Sequence, residues 1–233
     1  MTHYYKASGR FSPLAFVYFL LLSLIAFPLL GLLYAYAIWY IPIIYVNFLL
    51  TLGFGFGVGI LMSLFVVRMG KVRNTLLGLL FGLLGGLFAL YFHWAVWLDL
   101  VVNAGESYGT DSIGITVSNV QFAQVFILAF NPGVLFDLMA QVNEVGTWGI
   151  RGGNVSGIIL SIIWSIEALV IVGIATYLPY VSAQNPFSET SNAWMDSEEF
   201  GPFQMIKDKA LMVSRLEASN PEAFADLKLA DNT

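Results

Sequence analysis

Four long apolar blocks dominate the chain as far as Leu178; a short uncharged link separates the first two, and polar stretches separate the others. They run from about Phe11 to Trp39, from Ile43 to Val67, from Thr75 to Val101 and from Val155 to Leu178. A helix needs about 20 consecutive apolar residues to cross the hydrocarbon layer of a bilayer, so each block is long enough to span it. Strands with open edges would leave backbone groups unpaired in lipid, so the four blocks are predicted to be helices.

Phenylalanine and glycine alternate in the second block, NFLLTLGFGFGVGILMSLF, from Gly53 to Gly59. A period of two is typical of a strand, whereas a period of four gives interleaved GxxxG pairs, which let membrane helices approach closely. The membrane setting favours the helix. The glycines that we predict to pack helices are Gly53, Gly55, Gly57, Gly59, Gly78, Gly82 and Gly86. We expect a tight hairpin of the second and third spans, with another glycine face left for the first span, the fourth span or another subunit.

The composition places the chain in a membrane and excludes several kinds of active site. It is 58% hydrophobic and 11% charged, whereas soluble domains carry about 25% charged residues. The absence of cysteine excludes disulfides and thiolate metal sites, and the two distant histidines exclude an HExxH motif. No phosphate-binding loop or nucleophile elbow occurs. We therefore expect no catalytic residues, no cofactor and no metal.

The basic residues predict the orientation of the chain in the membrane. Lys6 and Arg10 precede the first span, and Arg68, Lys71 and Arg73 lie in the link between the second and third spans. Because basic residues are enriched on the cytoplasmic side, both termini and this link are predicted to be cytoplasmic. The segment 102–154 then lies outside.

Two short amphipathic helices are predicted in the outer segment 102–154. Ser118 is placed to cap the first, Asn131–Pro132 is typical of a helix start, and Gly146 is typical of a helix end. We expect both helices to lie at the outer interface. A re-entrant hairpin that lines a pore is the alternative, although Phe122–Phe130 is short for half a crossing with a return.

Glu167 is the deepest ionisable residue, near the middle of the fourth span in WSIEALVIVG. A charge at that depth costs at least about 2–3 kcal/mol, so an acidic residue there is a candidate functional site. It is either a proton or cation site, or a neutral structural acid that is hydrogen-bonded to Ser23, Thr51 or a tyrosine hydroxyl. Both interpretations remain open from the sequence.

The other candidate polar residues lie in the outer halves of the spans: His93 and Asp99 on the third and Asn47 on the second. By helix rise His93 is about 10 Å closer to the outside than Glu167, so a direct pair is not expected. The aromatic surroundings of His93 in YFHWAVW are typical of the belt at a membrane interface.

The segment 181–233 differs from the membrane domain 1–180. It carries nine acidic and four basic residues, which accounts for the whole net charge of −5. Short helices are predicted around Gln204–Ala218 and from Asn220. An acidic tail of this kind either docks a soluble cytoplasmic protein or only improves solubility, and it argues against nucleic-acid binding.

Four stretches carry a family resemblance: YAIWYIPIIYVNFLLTLGFGFGVG, GKVRN, NPGVLFDLMAQVNEVGTWGIRG and WSIEALVIVG. Up to about Phe187 the chain resembles an uncharacterised family of bacterial four-span inner-membrane proteins with no established activity. The resemblance implies a bacterial inner membrane and four spans. In that family the stretch after the last span resembles PF followed by CxxC, but here Ser188 and Ser191 take the cysteine positions, and neutral serine is not a zinc ligand.

The sequence thus predicts an all-α membrane protein with four transmembrane helices, an outer loop of two short amphipathic helices and an acidic cytoplasmic tail. We expect a non-enzymatic membrane subunit or scaffold that associates with another membrane subunit or a second copy and docks a cytoplasmic protein. The alternative is a small transporter or channel component that uses Glu167. Transport at this size usually needs more than one deep charge on a path.

Overall fold

The computed structural model describes residues 5–41, 43–110, 113–146, 148–150, 153–196, 203–206, 208–218, 220, 223 and 227–228, with the backbone alone for 44, 107–110, 113–115, 148–150 and 153–154. The elements in chain order are α1 (Leu14–Tyr40), α2 (Tyr45–Met69), α3 (Thr75–Val102), β1 (Ser107–Thr110), β2 (Ile113–Thr116), α4 (Phe122–Phe130), α5 (Pro132–Val145), β3 (Trp148–Ile150), β4 (Gly153–Val155), α6 (Gly157–Ser182), β5 (Phe187–Ser188), β6 (Ala193–Trp194) and α7 (Lys209–Glu217).

Four of the described helices, α1, α2, α3 and α6, are long and apolar enough to cross a membrane. Their ends agree with the predicted spans to within four residues. The stretch Gly53–Gly59 is helical, so the helical interpretation of the alternating glycines is confirmed. The chain is a multi-pass membrane protein.

Local sequence explains two features of these helices. Pro28 lacks the N–H that would bond one turn back, and a π-helical turn, Leu22–Ala26, lies directly before it in α1. At the start of α3 the side chain of Asn74 accepts a hydrogen bond from the backbone N–H of Leu77 at 3.1 Å. This cap satisfies one of the free donors at the beginning of the helix.

Backbone hydrogen bonds show which helix ends lie together. Gly9 N–H donates to the Arg73 carbonyl at 3.1 Å, and Ser12 N–H donates to the Gly70 carbonyl at 3.0 Å. A Cβ placed on Gly78 would lie 2.8 Å from Ala183. The start of α1, the link between α2 and α3, and the end of α6 therefore share one end of the helix bundle, which we call the basic end.

The opposite end, which we call the loop end, carries the segment between α3 and α6. In it β1 pairs with β2 and β3 pairs with β4, each antiparallel. The predicted start of α5 after Asn131 and its end at Gly146 are confirmed. The predicted cap by Ser118 is wrong, because Gln121 precedes α4 and the Ser118 hydroxyl instead donates to the Leu100 carbonyl at 2.7 Å.

The structure divides into two compact units: Ser8–Asn185 is one, and the described residues from Pro186 onward form the other together with residues 5–7. In it β5 and β6 form a small hairpin in which the backbone N–H of Ser191 donates to Oγ of Ser188 at 3.2 Å. Helix α7 lies within the predicted range 204–218, and the Asp208 carboxylate caps its start. The start of the second predicted helix, at 221–222, lies outside the described residues.

Candidate functional site

Glu167 lies where the first, second and fourth spans meet. Its Oε1 atom accepts a hydrogen bond from the Tyr34 hydroxyl of α1 at 2.5 Å. That hydroxyl is 2.8 Å from Oγ1 of Thr51 on α2, and Thr51 in turn donates to the backbone carbonyl of Asn47 at 2.9 Å. A continuous chain of hydrogen-bonding groups therefore joins Glu167 to α2 through Tyr34.

The third span adds His93 to this site. The imidazole packs against the Tyr34 ring with centroids 4.5 Å apart, while Phe54 stacks on Tyr34 at 4.6 Å. Gly31 allows α1 and α3 to approach here, since a Cβ on it would lie 3.2 Å from the His93 backbone nitrogen. We call Tyr34, Thr51, His93 and Glu167 the four-span cluster, because each comes from a different span.

The structure corrects one interpretation of His93. Its side chain is 2% exposed, so it is not a residue of the interfacial aromatic belt. It packs against Tyr34, which itself bonds to Glu167. The histidine and the glutamate thus belong to one buried assembly, with the tyrosine as their shared neighbour.

Counting protons shows which form of Glu167 suits the cluster. The cluster contains three contacts that need a proton: Thr51 with the Asn47 carbonyl, Thr51 with Tyr34, and Tyr34 with Glu167. The two hydroxyls supply only two protons for them. When Glu167 is a carboxylate that accepts from Tyr34, one of the other contacts lacks a proton. A carboxylic acid supplies the third proton by donating to the Tyr34 oxygen, so that Tyr34 donates to Thr51 and Thr51 to the Asn47 carbonyl. The geometry therefore fits a neutral acid, and an apolar setting also disfavours the charge.

Three tryptophans form a layer next to the cluster. Trp164 precedes Glu167 by one turn of α6 and lies 4.7 Å from Trp94 and 6.0 Å from Trp97 between ring centroids. Because α6 begins at the loop end, this layer lies on the loop side of Glu167. Bulky aromatic rings therefore occupy the space between α3 and α6 where a polar path from that end would run.

Two buried polar atoms near the cluster have no hydrogen-bond partner among the described residues. They are Nδ1 of His93 and Oδ1 of Asn47. Buried polar atoms without partners are uncommon in proteins, and each calls for a physical reason. A bound water or a cation would satisfy either atom, whereas a proton would satisfy only the imidazole nitrogen.

Asp99 does not belong to the cluster. It is buried at the loop end of α3, where Oδ2 accepts from the Gln121 backbone N–H at 2.8 Å and Oδ1 accepts from Nδ2 of Asn103 at 3.0 Å. Asn103 Nδ2 also reaches Oε1 of Gln124 at 3.1 Å. These bonds fix the start of α4 to the end of α3, so Asp99 has a positioning role in the loop.

The glycines of the second and third spans face other helices in different ways. Added Cβ atoms on Gly55, Gly59, Gly78, Gly82 and Gly86 would all meet α6 within 3.2 Å. A Cβ on Gly57 would meet only Leu30 of α1, at 3.7 Å, and one on Gly53 would meet nothing within 4 Å. The expected tight hairpin of α2 and α3 is therefore corrected, because these close contacts of both spans are with α6. Gly85 of α3 is the exception, since a Cβ on it would lie 3.0 Å from Sδ of Met62 on α2.

An open groove between α3 and α6 has a volume of about 810 Å³. Leucines of α3 and the face of α6 from Ser165 to Tyr180 line it, and Glu167 is not among the lining residues. Within the described part of the chain, no three His, Asp or Glu side chains gather where they would hold a metal ion. The groove is thus an apolar surface feature rather than an approach to the cluster.

No family model, curated protein or solved structure matches the chain. The resemblance to a bacterial four-span family therefore stays a prediction, and the function has to be argued from the geometry alone.

The sequence offered Ser23, Thr51 or a tyrosine hydroxyl as the partner of Glu167, and the structure shows a tyrosine, Tyr34. Thr51 reaches Glu167 only through Tyr34, and Oγ of Ser23 has no hydrogen-bond partner among the described residues. The sequence did not show which tyrosine is the partner. Tyr34 is one of several tyrosines in YAYAIWY and its neighbourhood, and nothing in its local pattern separates it from Tyr36 or Tyr40. The only available signal is depth: Tyr34 lies six residues before the end of α1, whereas Tyr40 is its last residue. Trp164 was missed because its distance from Trp94 along the chain hides their contact.

Proposed function

We propose that this protein is a non-enzymatic integral membrane subunit or scaffold of the bacterial inner membrane. The proposal rests on one observation: Glu167, the deepest acid, takes part in hydrogen bonds that join different spans. Its carboxyl group contacts Tyr34, and through Thr51 the same chain reaches α2. An acid engaged in this way joins helices, as interhelical hydrogen bonds in membranes commonly do.

In this proposal both termini lie in the cytoplasm and the loop end faces outward. The support is the grouping of Arg10, Arg68, Lys71 and Arg73 around one end of the bundle, since basic residues are enriched on the cytoplasmic side. The acidic tail 181–233 then extends into the cytoplasm and docks a soluble protein with a basic surface.

Association with another membrane subunit or a second copy of the chain uses glycines that α6 does not occupy. Gly53 and Gly173 have open space where a Cβ would lie. Small residues of this kind let a partner helix approach closely in lipid. The glycines that face α6 are already engaged within the chain and serve its own packing.

A small transporter or channel component is the second candidate. It is favoured by the unpartnered Nδ1 of His93 and Oδ1 of Asn47 near the cluster, because such atoms suit a proton or cation relay. The aromatic layer and the apolar lining of the groove weigh against it. A transporter or channel function requires an ion flux that depends on Glu167.

The scaffold proposal is tested by comparing the full chain with a chain truncated after Gly201 in mild-detergent purification. We expect the truncated chain to retain its thermal stability and any membrane partner but to lose its soluble partner. As a control, a full chain in which Glu217 and Glu222, two acids of the deleted segment, become glutamine separates loss of charge from loss of the segment. An unchanged set of soluble partners after truncation would contradict docking through the tail.

A further inference from the structure

Helix α4 runs alongside α3 from the loop end toward the middle of the span. At its start the Gln121 backbone N–H donates to Asp99 at 2.8 Å, and at its end the Ala129 carbonyl accepts from the Tyr91 hydroxyl at 3.0 Å. Gln121 and Ala129 are eight residues apart along α4, and Tyr91 and Asp99 are eight residues apart along α3. Both separations correspond to about 12 Å by helix rise. The two matching distances show that α4 descends antiparallel to α3.

The depth of the end of α4 follows from the position of Tyr91. Tyr91 is eleven residues from Val102, the end of α3, which corresponds to about 16 Å. The 28 residues of α3 extend about 42 Å, and the hydrocarbon layer is about 30 Å thick. With α3 centred in that layer, Tyr91 lies about 10 Å inside its boundary on the loop side, and the end of α4 lies beside it.

The chain turns sharply at this depth. Helices α4 and α5 are bent by 105° at Asn131, and Asn143 near the end of α5 donates to Oγ of Ser161 on α6 at 3.1 Å. Ser161 lies one turn from the loop end of α6. Helix α5 therefore leads the chain back toward the loop end, so the pair descends and returns on the same side.

Protein groups satisfy three of the backbone carbonyls at the turn. Asn131 donates through Nδ2 to the Ile127 carbonyl at 2.7 Å and through its N–H to the Leu128 carbonyl at 3.2 Å. Tyr91 satisfies the Ala129 carbonyl, and Pro132 has no N–H to satisfy. Irregular backbone at membrane depth is tolerated only when its polar groups are met by protein or by water in a cavity, and this turn meets that requirement for three carbonyls.

The outer surface of the turn is apolar. Phe130 at its tip is 80% exposed, and Phe126, Ile127 and Phe136 are each more than half exposed. A patch of this kind at the depth of Tyr91 is surrounded by lipid tails, which are as apolar as the side chains themselves. In water the same patch would be an aggregation-prone surface.

We infer that α4 and α5 form a re-entrant hairpin whose turn at Asn131–Pro132 lies in the hydrocarbon of the leaflet at the loop end, with lipid acyl chains covering Phe126, Phe130 and Phe136. This replaces the expected placement of both helices at the interface. The length argument against a re-entrant hairpin does not hold, because α4 covers its part of the descent in nine residues.

The natural absence of cysteine allows a direct depth measurement. Single cysteines at Phe130, at Leu87 in the middle of α3 and at Val102 at its loop end would carry a nitroxide spin label. The three side chains are 80%, 48% and 50% exposed, so none of the substitutions opens the core. The protein is reconstituted in palmitoyl-oleoyl-phosphatidylcholine vesicles, and collision rates with oxygen and with a water-soluble nickel chelate are compared.

We expect the ratio of oxygen to nickel collisions at Phe130→Cys to lie closer to that of Leu87→Cys than to that of Val102→Cys. A ratio equal to that of Val102→Cys would overturn the inference and return the hairpin to the interface. Low collision rates with both reagents would also overturn it, because protein would then cover the turn. A label at Ile127, one turn earlier, repeats the measurement, and a melting temperature equal to that of the unsubstituted chain verifies the fold of each variant.

Discussion

Replacing Glu167 tests whether the four-span cluster holds the helices together. In Glu167→Leu the Tyr34 hydroxyl loses its partner at 2.5 Å, and the chain through Thr51 ends at Tyr34. The Tyr34 hydroxyl then donates to Thr51 instead, so the expected cost is that of one lost interhelical hydrogen bond, about 0.6–1.7 kcal/mol. In Glu167→Gln the amide supplies a donor in place of the carboxyl proton, so all three contacts remain hydrogen bonds, and we expect a smaller loss than in the leucine variant.

The assay is reversible unfolding in mixed detergent micelles, with Glu144→Gln on the exposed side of α5 as the matched control. A double-mutant cycle of Tyr34→Phe and Glu167→Leu isolates the pair, and we expect a coupling energy of about 0.6–1.7 kcal/mol, as for other interhelical hydrogen bonds in membranes. Wild-type stability of Glu167→Leu would refute the reasoning. Equal losses for the glutamine and leucine variants would refute the proton count.

Three further predictions follow from the packing, the loop and the topology. Gly82→Leu should lower the unfolding free energy by about 1–3 kcal/mol, because a Cβ there lies 2.6 Å from Cγ of Pro179, whereas Gly53→Leu should not; equal effects in a melting assay would contradict the packing. Asp99→Ala should speed amide exchange in α4 and leave α6 unchanged, since it removes the acceptor of the Gln121 N–H; unchanged exchange in α4 would contradict the positioning role. A tag after Thr233 should be accessible only from the cytoplasm, and labelling of intact cells from the periplasm would reverse the topology.

The four spans could be predicted because their physical requirement is simple. A block of about 20 apolar residues is visible in any window of the sequence, and the charges that interrupt the blocks fall in the links. The kind of group that bonds to Glu167 could also be predicted, since a buried acid needs hydroxyl neighbours and the spans contain few hydroxyl groups.

Contacts between distant segments could not be predicted in the same way. The glycine ridge of Gly78, Gly82 and Gly86 shows which face of a helix allows close approach, but not which helix meets it, and the structure places α6 there instead of α2. The burial of His93 has the same origin. Its neighbours in the sequence are aromatic, as at an interface, whereas its neighbours in space, Gly31 and Tyr34, come from α1.

The inferred placement of α4 and α5 differs from the interfacial placement predicted from the sequence for another reason. Counting the apolar residues Phe122–Phe130 treats the descent as if α4 had to start at the surface of the hydrocarbon layer and cross half of it. In the structure, α4 starts beside Asp99 near the loop end of α3 and descends only as far as Tyr91, where Asn131 and Tyr91 satisfy carbonyls at the turn. Such local compensation depends on a hydroxyl from another helix, which no local pattern reveals.

Ion flux through the reconstituted protein tests the scaffold account most directly. Vesicles that contain a trapped pH-sensitive dye, and parallel vesicles with a sodium indicator, would receive the wild-type chain or Glu167→Gln, with empty vesicles as the background. The account predicts that wild-type and variant vesicles both show only the background flux, because Glu167 is engaged with Tyr34 and joins the spans. A proton or sodium flux that is present with the wild-type chain and lost in a stably folded Glu167→Gln would contradict the account and establish the transporter.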